Sequence, residues 1–315
     1  MLCAALVSMP LYAYEDSVAV HEPAVDAEEV EKAEGLKVLV SDKKQKEQTE
    51  KASVERSEGI NSETSANKWI NISGRTAFLS DYVYRGQTQT FGGPAVQGEL
   101  IFSQKKAEGI YVSIFGSNVD NTTASNGSGA EIDFAAGYIY KPKKDLSLKL
   151  ELLYTKYPGA YAPLLTKDKF DQLELIPTVT YQYLTVLWAY CFTDVRGINQ
   201  NFAPTFFTPL TPNGRSKGSW YAEASLKLPI PATEDKLNFI ISAGYEHIHN
   251  YSVLSYGVFG AGLTYELPES FAGLILSVNG SATTARKKYY TAINSSGQPK
   301  NLVAPKLWVG VTKEF

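Results

Sequence analysis

From residue 69 to the end of the chain, apolar and polar positions alternate with a period of two. Leu146, Leu148, Leu150, Leu152 and Tyr154 are interleaved with Ser147, Lys149, Glu151 and Thr155. Leu184, Val186, Trp188, Tyr190 and Phe192 alternate with Thr185, Cys191 and Thr193; Trp220, Ala222, Ala224, Leu226 and Leu228 alternate with Tyr221, Glu223, Ser225 and Lys227. Successive side chains on a strand point to opposite faces, so each segment has one apolar and one polar face. Twelve such segments of about 10–16 residues start near Trp69, Pro94, Gly109, Ala130, Leu146, Asp171, Leu184, Gly218, Lys236, Leu254, Ser270 and Ala304. A soluble sandwich would alternate in the same way, but its strands run to about 5–6 residues, whereas a tilted membrane strand needs roughly 9–11. The connections alternate as well. They are short at 105–108, 142–145, the Tyr183/Leu184 join, 229–235 and 267–269, and long at 85–93, 118–129, 158–170, 196–217, 249–253 and 286–303. Short turns on one side and long loops on the other are the layout of an outer-membrane barrel, with both termini on the short-turn, periplasmic side. In hydrocarbon every backbone N–H and C=O must be paired, so such a sheet must close on itself. The expected fold is all-β: a transmembrane antiparallel β-barrel of about 12 strands over residues 69–315. The Tyr183/Leu184 join contains no turn residue, so the strand number is fixed only to within two.

What precedes the barrel has a different character. Residues 1–13, MLCAALVSMPLYA, are apolar and end in a small residue, which reads as the apolar region and cleavage site of a signal peptide, though without a basic leading segment. Removing it would take Cys3 and leave Cys191 alone, so no internal disulfide is expected in the mature chain. Residues 14–68 read as a charged, disordered or partly helical periplasmic linker. Tyr14 to Ala66 holds 14 acidic and 7 basic side chains, and its one apolar island is Leu36 with Val38–Val40. A tether or a pore plug are the other readings of this segment. From residue 67 onward the balance turns to +4, and the whole chain carries −3. That rules out the strongly basic field of a nucleic-acid binder. No run of eighteen apolar residues follows residue 13, which excludes helical membrane spans, and 44% hydrophobic composition excludes wholesale disorder. Three histidines and two cysteines exclude most zinc frameworks.

Tyrosine and tryptophan prefer the lipid–water boundary. Tyr82, Tyr84, Tyr138, Tyr140, Tyr154, Trp188, Tyr190, Tyr245 and Tyr265 fall towards the ends of apolar faces and are expected to form interface girdles. The terminal Phe315 shares its face with Val311, Val309 and Leu307, as in the assembly signal of outer-membrane barrels; Lys313 interrupts that face.

The runs FLSDYVYRGQTQTFGGPAVQGELIF, GIYVSIFGSNVD, EIDFAAGYIY and LYTKYPGAY resemble the TorF-type porin family, grouped with uncharacterised proteobacterial proteins of the Gcw type. The match is strongest over residues 77–160, continues more loosely to Phe315 and leaves out 14–68. The resemblance implies an outer-membrane β-barrel of the porin kind; it carries over no substrate and no catalytic residue.

The polar faces nominate lumen-lining residues: Arg75, Asp81, Arg85, Glu99, Glu131, Asp133, Lys149, Glu151, Glu223, Lys227 and Glu246, with Glu174 and Glu266 on the same pattern. Arg75, Asp81 and Arg85 are placed on one face of the first strand. The set is predominantly acidic. Its members either pair across strands or form a constriction for ions and small solutes. Twelve strands make a barrel narrower than the 16–18-stranded porins, which favours a small-solute pore or one blocked by a loop. Arg196, Arg215, Lys217, Arg286, Lys287, Lys288 and Lys300 fall in the long loops, where a basic mouth would meet anions or lipopolysaccharide phosphates. A lipid hydrolase would need His247 or His249 with a serine. No G-x-S-x-G motif is present, and Ser242 lies on the opposite face from His247. The expectation is therefore a non-enzymatic porin for small hydrophilic solutes or ions in the outer membrane of a Gram-negative bacterium, exported through the inner membrane. No cofactor, metal site or catalytic residue is expected. The expected partners are outer-membrane lipid, lipopolysaccharide and the barrel assembly machinery, with no nucleic acid. The competing reading is a plugged structural or adhesin-like barrel.

Overall fold

The computed structural model describes residues 70–104, 108–120, 128–160, 170–199, 213–293 and 298–315. The signal-peptide and linker expectations lie outside these residues. Twelve strands form a closed antiparallel barrel in which each strand pairs with its neighbours in sequence. They are β1 (Ile70–Leu79), β2 (Ala95–Gln104), β3 (Gly109–Asn118), β4 (Ala130–Lys143), β5 (Leu146–Lys156), β6 (Gln172–Tyr181), β7 (Leu184–Cys191), β8 (Trp220–Pro229), β9 (Leu237–His247), β10 (Tyr256–Glu266), β11 (Ile275–Thr283) and β12 (Lys306–Glu314). Each starts within five residues of its expected position. The largest offset is at β11, because Glu269–Phe271 forms a short 3-10 turn followed by left-handed Ala272 and Gly273.

The seam is made by the two ends of the chain. β1 pairs with β12 from Arg75↔Glu314 to Leu79↔Gly310. The terminal residue extends it: Phe315 N–H donates to Gly74 O at 3.0 Å, and Gly74 N–H donates to Phe315 O at 2.8 Å. The Phe315 ring lies over Gly74, where an added Cβ would stand 2.8 Å from Cζ. Only a glycine lets the terminal ring settle against the wall. The turn between β6 and β7 shows why this join was hard to read. It consists of Gln182 and Tyr183, and Gln182 takes the left-handed φ of 50° that a tight hairpin needs and that Gly or Asn usually supplies.

The barrel is inside-out relative to a water-soluble domain. The exposed side chains are large and apolar, among them Ile72, Phe78, Leu100, Ile114, Phe134, Leu150, Leu152, Val186, Phe259, Val278 and Val309. The buried ones alternate with them and are largely polar, including Glu99, Ser117, Glu131, Asp133, Glu151, Gln172, Glu174, Ser225, Glu246, Thr264 and Asn279. Water penalises such an exterior at roughly 25 cal/mol per Å², whereas hydrocarbon does not. Tyr138, Tyr140, Trp188 and Tyr245 are exposed on the outer face. Tyr154, Tyr190 and Tyr265 share that face and are partly covered. Trp188, Tyr190 and Phe192 stack in series at 5.7 and 5.2 Å, and Trp220 stacks with Tyr245 at 5.8 Å and with His247 at 5.4 Å.

Two of the nine proposed girdle residues belong elsewhere. Tyr82 is fully buried, and Tyr84 is partly buried inside the barrel. β1 ends at Leu79. Beyond it the chain turns inward and forms a small hairpin, Val83–Tyr84 paired with Gln87–Thr88, rather than an external loop. Asp81 and Arg85 therefore lie in this hairpin and not on the face of the first strand.

Leu150, 51% exposed on the outer face, tests the medium around the barrel. On a water-facing surface Leu150→Arg would change stability by about ±0.5 kcal/mol. In a bilayer near the midplane it should cost about 2–4 kcal/mol. Urea unfolding of the variant in lipid vesicles measures which applies; the membrane value is expected.

Candidate functional site

The inner hairpin fills the loop end of the lumen and is built for that place. Its turn residues, Arg85 and Gly86, both have positive φ (46° and 74°), the conformation of the tight hairpin turn whose twist matches its strands. A non-glycine residue there costs about 1–2 kcal/mol, so Arg85 is held by its surroundings. A Cβ on Gly86 would overlap the Thr283 methyl and stand 3.2 Å from Val258 Cγ1, so the hairpin tip rests directly on the β10–β11 wall.

Arg85 is the central anchor. One guanidinium nitrogen donates to both oxygens of Glu174 on β6 (3.0 and 3.2 Å), and the other donates to both oxygens of Glu246 on β9 (3.3 Å each). The guanidinium also lies over the Tyr84 and Tyr221 rings, 4.9 and 4.5 Å from their centroids. A planar fork with five donors can meet two carboxylates and two rings at once; a lysine ammonium cannot.

The rest of the hairpin is tied down on every side. Tyr82 Oη donates to Glu131 at 2.6 Å, and Tyr157 Oη donates to the other oxygen of the same carboxylate at 2.5 Å. Burial, and then the Glu131 charge, hold the Tyr157 phenol well above its ordinary pKa. Asp81 accepts from the Thr88 and Thr90 hydroxyls at 2.5 and 3.0 Å, which closes the base of the hairpin. Gln87 Nε2 donates to Tyr256 Oη at 2.6 Å, and that phenol donates to Arg85 O at 3.0 Å. Arg196 donates to Gln87 Oε1 at 2.7 Å. Thr88 N–H donates to Leu302 O, and Lys300 Nζ donates to Phe91 O. Two of the expected mouth cations are thus turned to the hairpin, because its backbone and amide oxygens need donors. Arg215 pairs with Asp194 at 3.1 Å, while Arg286, Lys287 and Lys288 are exposed.

The lumen candidates fall into local groups. Arg75 pairs with Glu99 at 2.9 Å. Lys149 meets Glu151 at 3.4 Å, and Tyr111 Oη donates to the same carboxylate. Tyr221 Oη donates to Glu223 at 2.6 Å. Asp133 is buried beside Glu131 on β4; Lys227 shares the inward face of β8 with Glu223. Asp81, Arg85, Glu131 and Glu246 are brought together by the hairpin. Glu266 is exposed at the short-turn end. Sequence reasoning missed Tyr111, Tyr157, Tyr256, Gln87 and Trp308. For Tyr111, Tyr256 and Trp308 a signal existed, since each sits on the opposite parity to the exposed apolar residues of its own strand. His247 is stacked on Trp220 on the outer face, and Ser242 is on the inward face, so the hydrolase pair is not assembled.

Among solved structures, the KdgM porin aligns with a TM-score of 0.40 at 10% identity, covering 78% of this chain and 98% of that one. The NanC porin gives 0.41 at 7% identity, covering 77% and 98%. OprD of Pseudomonas aeruginosa gives 0.35 at 12%, covering 78% and 66%. These are likenesses of fold alone. No curated protein matches the chain. The family model that does match spans residues 63–315, most of the sequence and the whole barrel, and its description is a bacterial protein of unknown function. The chain belongs to this family, Gcw_chp.

Proposed function

We propose that this protein is a porin of the Gram-negative outer membrane, of the TorF type. In this reading a barrel narrowed by an inward hairpin passes small hydrophilic solutes or ions by diffusion. The observation that carries the reading is the inversion of the barrel, with an apolar exterior and an interior of carboxylates, hydroxyls and amides. A barrel that only anchored surface loops would gain more from an apolar interior, because a buried ion pair often contributes less than well-packed hydrophobic residues. In this reading the short turns face the periplasm and the long loops the outside, as the alternating connections support. The exposed Arg286, Lys287 and Lys288 then face lipopolysaccharide phosphates, and the Phe315 strand is the segment offered to the assembly machinery.

The same hairpin supports a second reading. Ties to β4, β6, β9 and β10 and to the 298–305 segment are numerous enough to make it a permanent plug, and the barrel would then serve a structural or adhesive task.

Planar-bilayer recording of the full-length refolded protein separates the two. Small stepwise openings are expected. The inward-facing carboxylates outnumber the lumen cations, so a salt gradient should give a reversal potential on the cation-preferring side. Silence from a protein shown to be folded would end the porin reading and leave the plugged barrel.

The Arg85 clamp can be tested apart from transport. Arg85→Met leaves Glu174 and Glu246 without their shared cation and should cost about 3–5 kcal/mol. The triple variant Arg85→Met, Glu174→Gln, Glu246→Gln should recover most of that loss. Urea titration followed by heat-modifiable gel mobility reads both. Under the porin reading the triple variant also conducts more than the native protein, because its hairpin is no longer fastened.

A further inference from the structure

The two sides of the lumen differ in chemistry. Between β1 and β6 the inward face carries Arg75, Glu99, Glu131, Asp133, Lys149, Glu151 and Glu174. Along the middle of β9, β10 and β11 it carries no ionisable group. The strand registers place its residues in two rows. Ser242, Gly260 and Ser281 are directly opposite one another, and below them Ile240, Gly262 and Asn279 are opposite in the same way. Thr264 follows on β10. The row above, Val258 and Thr283, is where the hairpin tip rests through Gly86, so this neutral strip begins directly beneath the hairpin. Glu246 stands above it on β9, Lys306 flanks it on β12 in register with Ser281, and Lys227 flanks it on β8 in register with Ile240.

Four polar atoms on this strip have no hydrogen-bond partner within the protein: Ser242 Oγ, Thr264 Oγ1, Asn279 Oδ1 and Ser281 Oγ. Thr264 and Asn279 are each only 3% exposed. Leaving a buried polar group unpaired costs about 1–3 kcal/mol, so four on one surface is an unusual concentration. Elsewhere, Glu131 has both oxygens met by phenols, while Glu151 Oε1 and Gln89 Oε1 are single unpartnered atoms among paired neighbours. Here glycines occupy the alternate positions. Gly262 in particular lets the Asn279 amide lie flat, since a Cβ there would be 2.6 Å from Oδ1. The strip is therefore low, neutral and rich in hydroxyls that rotate to donate or accept.

We propose that this strip is a subsite for an uncharged, hydroxyl-rich solute of monosaccharide size. It rests on the porin reading and names the class of solute that such a pore would pass beneath the hairpin. Ser, Thr and Asn pair with vicinal hydroxyls in either direction, and no ionisable group projects from the strip itself. Trp308 on β12, opposite Asn279 in register and inward-facing, is a built-in reporter.

The test uses the full-length refolded protein in micelles, with Trp69→Phe, Trp188→Phe and Trp220→Phe so that Trp308 alone emits. Glucose titration should give a saturable change in emission, and potassium chloride at equal osmolarity should not. Asn279→Ala with Ser281→Ala should raise the half-saturating concentration by roughly tenfold, the effect of one or two hydrogen bonds. Ser242→Ala, which leaves β11 untouched, should weaken binding in the same direction if the double variant fails to fold. A linear response, or one unchanged in every folded variant, overturns the subsite. Ion conductance is recorded separately on the same preparations. Conductance without saturable glucose binding sinks the subsite and leaves the porin standing; saturable binding without conductance keeps the subsite and sinks the pore.

Discussion

Everything in this protein follows from the pairing of β1 with β12. A sheet whose outer face is made of Ile, Leu, Val and Phe would present unpaired N–H and C=O groups at any free edge, and closing the ring pairs them. Closure joins the chain's last residues to Gly74–Leu79 and uses the terminal residue itself, through the reciprocal bonds between Phe315 and Gly74. Once the ring is closed, each strand has one face outside and one inside, and the period of two sorts every residue between them. The polar content of the sequence has nowhere to go but inward.

An interior of carboxylates poses its own problem, which the hairpin helps to solve. Glu131, Glu174 and Glu246 project from three different strands and are too buried for water alone to compensate them. The hairpin brings Tyr82 to the first and Arg85 to the other two. It is thus an internal counter-charge as well as an obstruction. The left-handed backbone at Arg85 is tolerated because two carboxylates and two aromatic rings fix the guanidinium on the far side of the strained residue. Stability and the position of the hairpin in the lumen are coupled at this one side chain, and whatever loosens the clamp changes both.

Strand positions were legible because alternation is a local property that needs no knowledge of the partner strand. The same property misled beyond Leu79. Tyr82, Tyr84 and the residues between them keep the parity of β1, and a period of two does not say whether a segment continues the wall or turns into the lumen. The turn at Arg85-Gly86 lacks the Asn-Gly or Asp-Gly pair that announces such a hairpin, and Gln182 hides the β6–β7 turn for the same reason. The candidate charges were visible one by one, yet their partners were not. Glu174 and Glu246 lie 89 and 161 residues from Arg85, and only closure of the barrel brings them together.

Glycine decides how much of the interior those side chains occupy. Tyr111 on β3 reaches Glu151 on β5 by crossing Gly137 on the strand between them, where a Cβ would be 2.6 Å from the phenol oxygen. Tyr221 on β8 leans over Gly244 on β9 and meets Glu223 of its own strand. In both places a large inward residue lies along the wall instead of pointing at the axis, and its hydroxyl is used up on a carboxylate beside it. The lumen wall is thereby made shallow beside Glu151 and Glu223. Along β9–β11, Gly262 does the same for the smaller Asn279, and Ser242, Thr264 and Ser281 around it keep hydroxyls without a protein partner. The asymmetry of the lumen therefore comes less from where charges are placed than from what the glycines allow to lie flat. At Glu151 and Glu223 this yields phenol–carboxylate pairs, and along β9–β11 hydroxyl and amide oxygens without a protein partner.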